Sequence, residues 1–175
     1  MKNKVTLISF ITIFFFILFI FFLLLTSDRK PNEIPSALLG KNVPKFKAKT
    51  LFDSKLFDSK NEFNNETVIV NFFATWCKPC INEHIFLKKL SNEKKIKIYG
   101  INYKDDPEKA IIWLQKLGNP YEKVLIDQNA SIGIDWGVYG IPETFIVSNS
   151  VIKYRLIGPI TEKNYKDFYL KIMEN

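Results

Sequence analysis

From Val5 to Leu25 the chain carries no charged side chain, and its only polar residues are Thr6, Ser9 and Thr12 among Phe, Ile and Leu. As a helix rising 1.5 Å per residue, this run extends about 31 Å, the thickness of a bilayer's hydrocarbon core. A secretory signal peptide has a shorter apolar region, of about 7 to 15 residues, and ends at small residues. Leu23-Leu24-Leu25-Thr26-Ser27-Asp28 offers no such site, so the pattern predicts one uncleaved transmembrane helix within residues 1–26. Lys2, Lys4 and the terminal amine precede it, while Asp28-Arg29-Lys30 follow with less net positive charge. That bias puts the N-terminus in the cytoplasm and the bulk of the chain outside it.

Beyond the apolar run the periodicity changes. Residues 27–40, with Pro31 and Pro35 and few apolar groups, predict a tether, and residues 41–175 are enough for one domain. Within it, Val68 to Ala74 is a near-continuous apolar run suited to a buried strand, and a helix is expected directly after it. Ile96 to Ile101 alternates as a strand, with Ile96 and Ile98 on one face. Next comes a helix with Asp106 as N-cap, Pro107 in its first position, a buried stripe of Ala110, Trp113, Leu114 and Leu117, and Gly118 at its end. Val124 to Ile126 predicts a short strand. Thr144 to Val147 and Val151 to Leu156 predict a hairpin across Ser148-Asn149-Ser150, followed by an amphipathic helix bearing Tyr165, Phe168, Tyr169 and Ile172 and capped by Thr161. Leu51 to Lys55 is repeated as Leu56 to Lys60, but two five-residue copies are too short for a solenoid and imply only strand and turn. Strands alternating with helices and ending on a hairpin define an α/β fold, a mixed central sheet with helices on both faces.

The net charge is +7, yet of 25 basic residues only Arg29 and Arg155 are arginine and the lysines are scattered. A nucleic-acid surface favours arginine and local clustering, so no nucleic-acid partner is expected.

The only two cysteines stand three apart, in Trp76-Cys77-Lys78-Pro79-Cys80, where the buried strand hands over to a helix. Four unpaired N–H groups and the positive end of the helix dipole favour thiolate at Cys77, and Pro79 sits where its missing N–H has no partner to lose. Structural zinc usually needs four ligands, and the chain adds only His84, so no metal is expected. Haem attachment needs histidine at position 81, which is Ile. A permanent disulfide closing so short a loop restrains the unfolded chain little. A redox-active Cys77–Cys80 pair remains, with no other cofactor. Glu83 lies three residues past Cys80, with Phe86, Leu87 and Leu90 at i+3, i+4 and i+7 from it, so a carboxyl falls on the apolar stripe. Burial there would raise its pKa and suit it to accept the Cys80 proton; the alternative is a stem that snorkels to solvent. His84 falls off the stripe centre and is expected to be exposed. Trp76 either covers the dithiol and meets a partner or packs in the core.

A strand, Trp-Cys-x-x-Cys, a helix, and then Gly140-Ile141-Pro142 opening another strand resemble the thioredoxin superfamily. The resemblance implies a cis Ile141–Pro142 bond facing the dithiol, with Ile141 offering backbone groups to an extended substrate. The anchor and Asn71 to Cys77 narrow the resemblance to membrane-tethered, extracytoplasmic members. Ala37 to Pro44, Asn102 to Asp106, Leu117 to Tyr121 and above all Gly137-Val138-Tyr139-Gly140-Ile141-Pro142-Glu143-Thr144-Phe145 are similar to the cytochrome c maturation thioredoxins, the CcmG/DsbE family. Lys78-Pro79 departs toward the broader tethered reductases.

What this resemblance implies is a single-pass protein of the inner membrane whose periplasmic domain keeps the haem-binding cysteine pair of apocytochrome c reduced, or resolves mixed disulfides there. Its partners would be apocytochrome c, other maturation components and a membrane thiol-disulfide electron donor. Cys77 would attack, Cys80 resolve, and Trp76, Ile141, Pro142 and Glu143 line the substrate groove; for Glu143 a surface charge with no task is the alternative. A general extracytoplasmic reductase and a copper metallochaperone on the same fold are the alternatives. The second usually resembles Cys-x-x-x-Cys with a distant histidine.

Overall fold

The computed structural model describes residues 2–26, 38–64 and 66–175. The chain divides into two compact units, Met1–Glu33 and Ile34–Asn175. The first contains one helix, α1 (Lys2–Thr26), long and apolar enough to cross a membrane. Of the expected tether, residues 27–37 lie outside the described residues. Its last three, Leu38 to Gly40, form a turn within the second unit, held by a hydrogen bond from Gly40 N to Ile152 O.

The second unit runs β1 (Lys47–Lys49), β2 (Leu56–Asp58), α2 (Ser59–Glu62), β3 (Thr67–Phe73), α3 (Lys78–Lys88), β4 (Ile98–Tyr103), α4 (Pro107–Leu117), β5 (Lys123–Asp127), α5 (Ser131–Asp135), β6 (Glu143–Ser148), β7 (Val151–Ile157) and α6 (Glu162–Met173). Five strands form a sheet in the order β5-β4-β3-β6-β7. β3, β4 and β5 are parallel, while β6 runs antiparallel to β3 and to β7, so the sheet is mixed as expected. β3 lies at its centre and is buried from Val68 to Phe73, which accounts for its unbroken apolar run.

Alternation along β3 sends Ile69 and Phe73 to one core, shared with Leu87 and Leu90 after the dithiol, Leu114 of α4 and Phe168 and Ile172 of α6. Val68, Val70 and Phe72 face a second core with Phe57 of β2, Ile132 of α5 and Trp136. The long helices therefore share the first core. Ala48 and Phe57 of the β1–β2 hairpin, Phe63 just after α2 and Ile132 of α5 supply the second, and of these small elements the hydrophobic pattern announced only the strand and turn around β2.

Local signals elsewhere hold. Asp106 caps α4 by accepting from Glu108 N and Lys109 N, Pro107 follows it, and Gly118 ends the helix at φ 86°. The hairpin turn is shorter than expected, because Ser148 belongs to β6. Only Asn149 and Ser150 connect the strands, at φ 51° and 62°, as a two-residue turn between twisted strands demands. Thr161 and Asn164 form a capping box at the start of α6.

Candidate active site

Cys77 is the N-cap of α3, and its sulfur accepts a hydrogen bond from Cys80 N at 3.3 Å. The two sulfurs are joined as a disulfide. An N–H aimed at Cys77 Sγ would favour the anion once the pair is reduced. Both cysteines are well covered: Cys77 keeps 4% of its surface and Cys80 1%, so the attacking sulfur is only slightly more accessible than its partner.

The turn that delivers Cys77 is tied to the loop after β4. Asp105 accepts from Thr75 N at 2.6 Å, Thr75 Oγ1 at 2.8 Å and Asn102 Nδ2 at 2.9 Å. Trp76 donates its indole N–H to Lys104 O at 3.1 Å while remaining 60% exposed, which rules out the core-packing alternative. Sequence reasoning passed over Asp105, although a short acidic loop residue after a strand is a common organiser of turns.

Across from the dithiol, the Ile141–Pro142 bond is cis and Ile141 O lies 3.6 Å from Cys77 Sγ. Glu143 corrects an expectation. It was expected in the substrate groove or as a free surface charge, but it is fully buried. One carboxylate oxygen accepts from Tyr139 N at 2.8 Å and Gly140 N at 3.2 Å. The other pairs with Arg155 at 2.6 Å. Arg155, twelve positions on in β7 by way of the hairpin, gave no local signal, since charge pairing across strands is set by register.

Glu83 is fully buried, which excludes the snorkelling alternative. Asn71 Nδ2 donates to its Oε1 at 2.9 Å and Ile160 N donates to its Oε2 at 3.0 Å. Burial nevertheless dominates over these two donors and pushes the carboxyl up to about 7. Asn71 is itself oriented: its oxygen accepts from Tyr121 OH at 2.9 Å, and its nitrogen also reaches Thr144 Oγ1 at 3.0 Å. One turn of helix separates Cys80 from Glu83, so they lie on the same face of α3. Asn71 stands out in the sequence as the one polar residue in the apolar run from Val68 to Ala74.

His84 also departs from expectation. It is buried, edge-on to Trp113 with ring centroids 4.6 Å apart, and Nε2 lies 2.7 Å from Gly118 O. A carbonyl only accepts, so Nε2 carries the proton; burial pushes the imidazole's pKa down, against the pull of that carbonyl. Lys88 Nζ donates to Leu117 O at 2.8 Å, so two residues of α3 cap the C-terminal end of α4. The stripe reached further round the helix than a Leu-and-Phe count suggested. Among the described residues no group of three or more His, Cys, Asp or Glu is placed to hold a metal ion.

A cysteine at a helix start, a second thiol one turn behind it and a proline loop against the first sulfur together allow disulfide exchange through a mixed disulfide. The class is the thioredoxin-like thiol:disulfide oxidoreductases. Among known families the Redoxin profile matches residues 38–169. The thiol:disulfide interchange protein DsbE of Vibrio cholerae is 42% identical over 146 residues, covering 82% of this chain and 78% of its own. That of Escherichia coli K12 is 40% identical over 174 residues, covering 95% and 92%. Among solved structures, a secreted Mycobacterium tuberculosis disulfide oxidoreductase homologous to E. coli DsbE superposes with TM-score 0.64 at 17% identity, over 74% of this chain and 96% of that one. A secreted thiol-disulfide isomerase from Corynebacterium glutamicum gives 0.65 at 20%, over 76% and 86%. The two structures attest the fold; the two sequences attest the family. This chain belongs to the DsbE family of thiol:disulfide interchange proteins.

Proposed function

We propose that this protein is a membrane-tethered reductase of cytochrome c maturation. On this reading its domain lies on the periplasmic side of the inner membrane and reduces the haem-binding cysteine pair of apocytochrome c, or resolves mixed disulfides there. The observation that carries the reading is the Gly137 to Phe145 run, which resembles that of the cytochrome c maturation thioredoxins and brings Ile141 O to 3.6 Å from Cys77 Sγ. The apolar helix α1 supports tethering, and Lys2 and Lys4 in its first turn, ahead of the uncharged run, support the orientation.

In the working step the Cys77 thiolate attacks one sulfur of the target disulfide, and the other target sulfur departs as thiolate. Cys80 then gives its proton to the Glu83 carboxylate and attacks Cys77 Sγ. The mixed disulfide breaks, the second target sulfur leaves as thiolate, and the protein is left oxidised. A membrane thiol-disulfide donor restores the dithiol. Trp76 offers a rigid exposed ring beside the nucleophile, and Ile141 offers main-chain groups to the target.

The test is a trap. Cys80→Ser leaves Cys77 able to attack but removes the resolving thiol, so covalent complexes with apocytochrome c and with the donor are expected to accumulate under non-reducing conditions. Cys77→Ser is expected to trap neither. Complexes with many unrelated periplasmic proteins and none with apocytochrome c would instead identify a general reductase, the class whose inter-cysteine dipeptide Lys78-Pro79 resembles. The pair is expected to be reducing, near the thioredoxin value of about −270 mV; a potential above about −180 mV, in the isomerase range, would overturn the reductase reading.

A further inference from the structure

Between Trp136 and β6 the chain has no ladder partner, yet three backbone positions there, at Gly137, Tyr139 and Gly140, answer to a single buried ion pair. Glu143 accepts from Tyr139 N at 2.8 Å and Gly140 N at 3.2 Å. Its other oxygen takes Arg155 Nε at 2.7 Å, and Arg155 Nη2 also donates to Gly137 O at 2.8 Å. The guanidinium lies 4.6 Å from the centroid of the Tyr139 ring. The two side chains keep 3% and 0% of their surface.

A buried ion pair is a poor device for stability alone, since apolar residues of the same volume often serve as well. β6 and β7 are already joined by their own register from Glu143–Ile157 to Ser148–Val151, and Pro142 O is held by Gly158 N. What the pair adds is the placement of the Gly137 to Gly140 backbone. That stretch leads straight into Ile141, whose carbonyl is 3.6 Å from Cys77 Sγ, and its Tyr139 and Gly140 are exposed. A disulfide attacked by Cys77 has to come within bonding distance of that sulfur. The polypeptide flanking it therefore runs along this loop, whereas a small disulfide has little chain to lay there.

We infer that Arg155 is a positioning residue for exchange with polypeptide targets: through Glu143 and Gly137 it holds the loop in the shape that receives the chain on either side of the attacked disulfide. A lysine could keep the charge opposite Glu143, but it cannot bond Glu143 and Gly137 with a planar fork while stacking on Tyr139. The inference rests on disulfide exchange itself and does not depend on which protein is the target.

The experiment compares the reduced full chain in detergent with its Arg155→Lys variant, using two oxidants: glutathione disulfide, and a 15-residue extended peptide closed by a Cys-x-x-Cys disulfide. Each reaction leaves the protein oxidised and the oxidant as thiols. The expected result is a tenfold or greater fall in the peptide rate constant relative to the glutathione disulfide rate constant, with amide hydrogen exchange at Tyr139 and Gly140 at least tenfold faster. Equal losses with both oxidants would mean a structural role only, and no loss with either would mean no role; both overturn the inference. Should the variant fail to fold, exchange in the unaltered protein decides. Protection of the Tyr139 and Gly140 amides comparable with β6 upholds the brace, and exchange at unprotected rates overturns it.

Discussion

At the scale of single residues, the buried carboxyl of Glu83 has two measurable consequences. Its pKa in the folded chain is about 7, above the ordinary 4.5, so between these values the folded state holds a proton that the unfolded state has lost. Stability therefore falls as pH rises from about 4.5 to about 7 and levels off beyond, by about 3 kcal/mol in full. Glu83→Gln is expected to flatten that slope in urea unfolding measured from pH 5 to 8. The same proton governs chemistry: only ionised Glu83 can take the Cys80 proton, so resolution of a mixed disulfide is expected to quicken as pH passes through about 7. In Glu83→Gln that rise should vanish and resolution slow about tenfold or more, with the first attack by Cys77 little changed. Resolution at the unaltered rate from pH 6 to 8 would assign the proton to water or another group. The spacing along α3 placed Glu83 on the apolar stripe but left open whether its stem snorkels to solvent, and only the packing decided for burial. The same spacing misjudged His84, because the width of a buried stripe depends on what packs against it, and here α4 brings Trp113 and the Gly118 carbonyl onto the flank.

At the scale of elements, β4 shows how closely a strand and a side chain can approach. The Tyr121 ring lies over Gly100, where an added Cβ would come within 2.9 Å of Tyr121 Cγ and 3.0 Å of Phe73 Cε1. Tyr121 and Phe73 are themselves stacked with centroids 4.8 Å apart, so neither ring has room to retreat. Gly100→Ala is expected to destabilise the domain by about 1 to 3 kcal/mol in urea unfolding. Because Tyr121 OH orients Asn71, and Asn71 donates to Glu83, the same change should also shift the pH at which resolution quickens. An unchanged unfolding midpoint would show that the rings have slack. Elements with strong local signals, such as α4 with its Asp106 cap and the β6–β7 hairpin, were legible in the sequence. β1 at three residues and α5 at five were not, since segments so short complete neither a strand nor a helix period, whereas β2 falls in the Leu51 to Lys60 stretch expected to be strand and turn. The extra residue at Lys153, where β6 and β7 shift register between Ile146 and Val147, likewise left no mark in the alternation.

For the whole molecule, α1 and the redox domain make separable predictions. The full chain is expected to fractionate with membranes and to resist alkaline extraction, while a chain lacking residues 1–26 is expected to be soluble and to keep its disulfide chemistry. A mature N-terminus found near residue 27 in the source cell would turn the anchor into a cleaved signal. What the sequence determined alone was whatever rests on local order: the apolar length of α1, the strand-to-helix junction that places Cys77 at a helix start, the caps and turns, and the landmarks of the family. The tertiary structure alone decided which distant groups meet. It brought Ile141 O to Cys77 Sγ, Asp105 to Thr75, Asn71 and Ile160 N to Glu83, and Arg155 to Glu143. The reason is that local backbone preferences act over a few residues. Those meetings depend instead on strand order and register, which only the packing of the two cores settles.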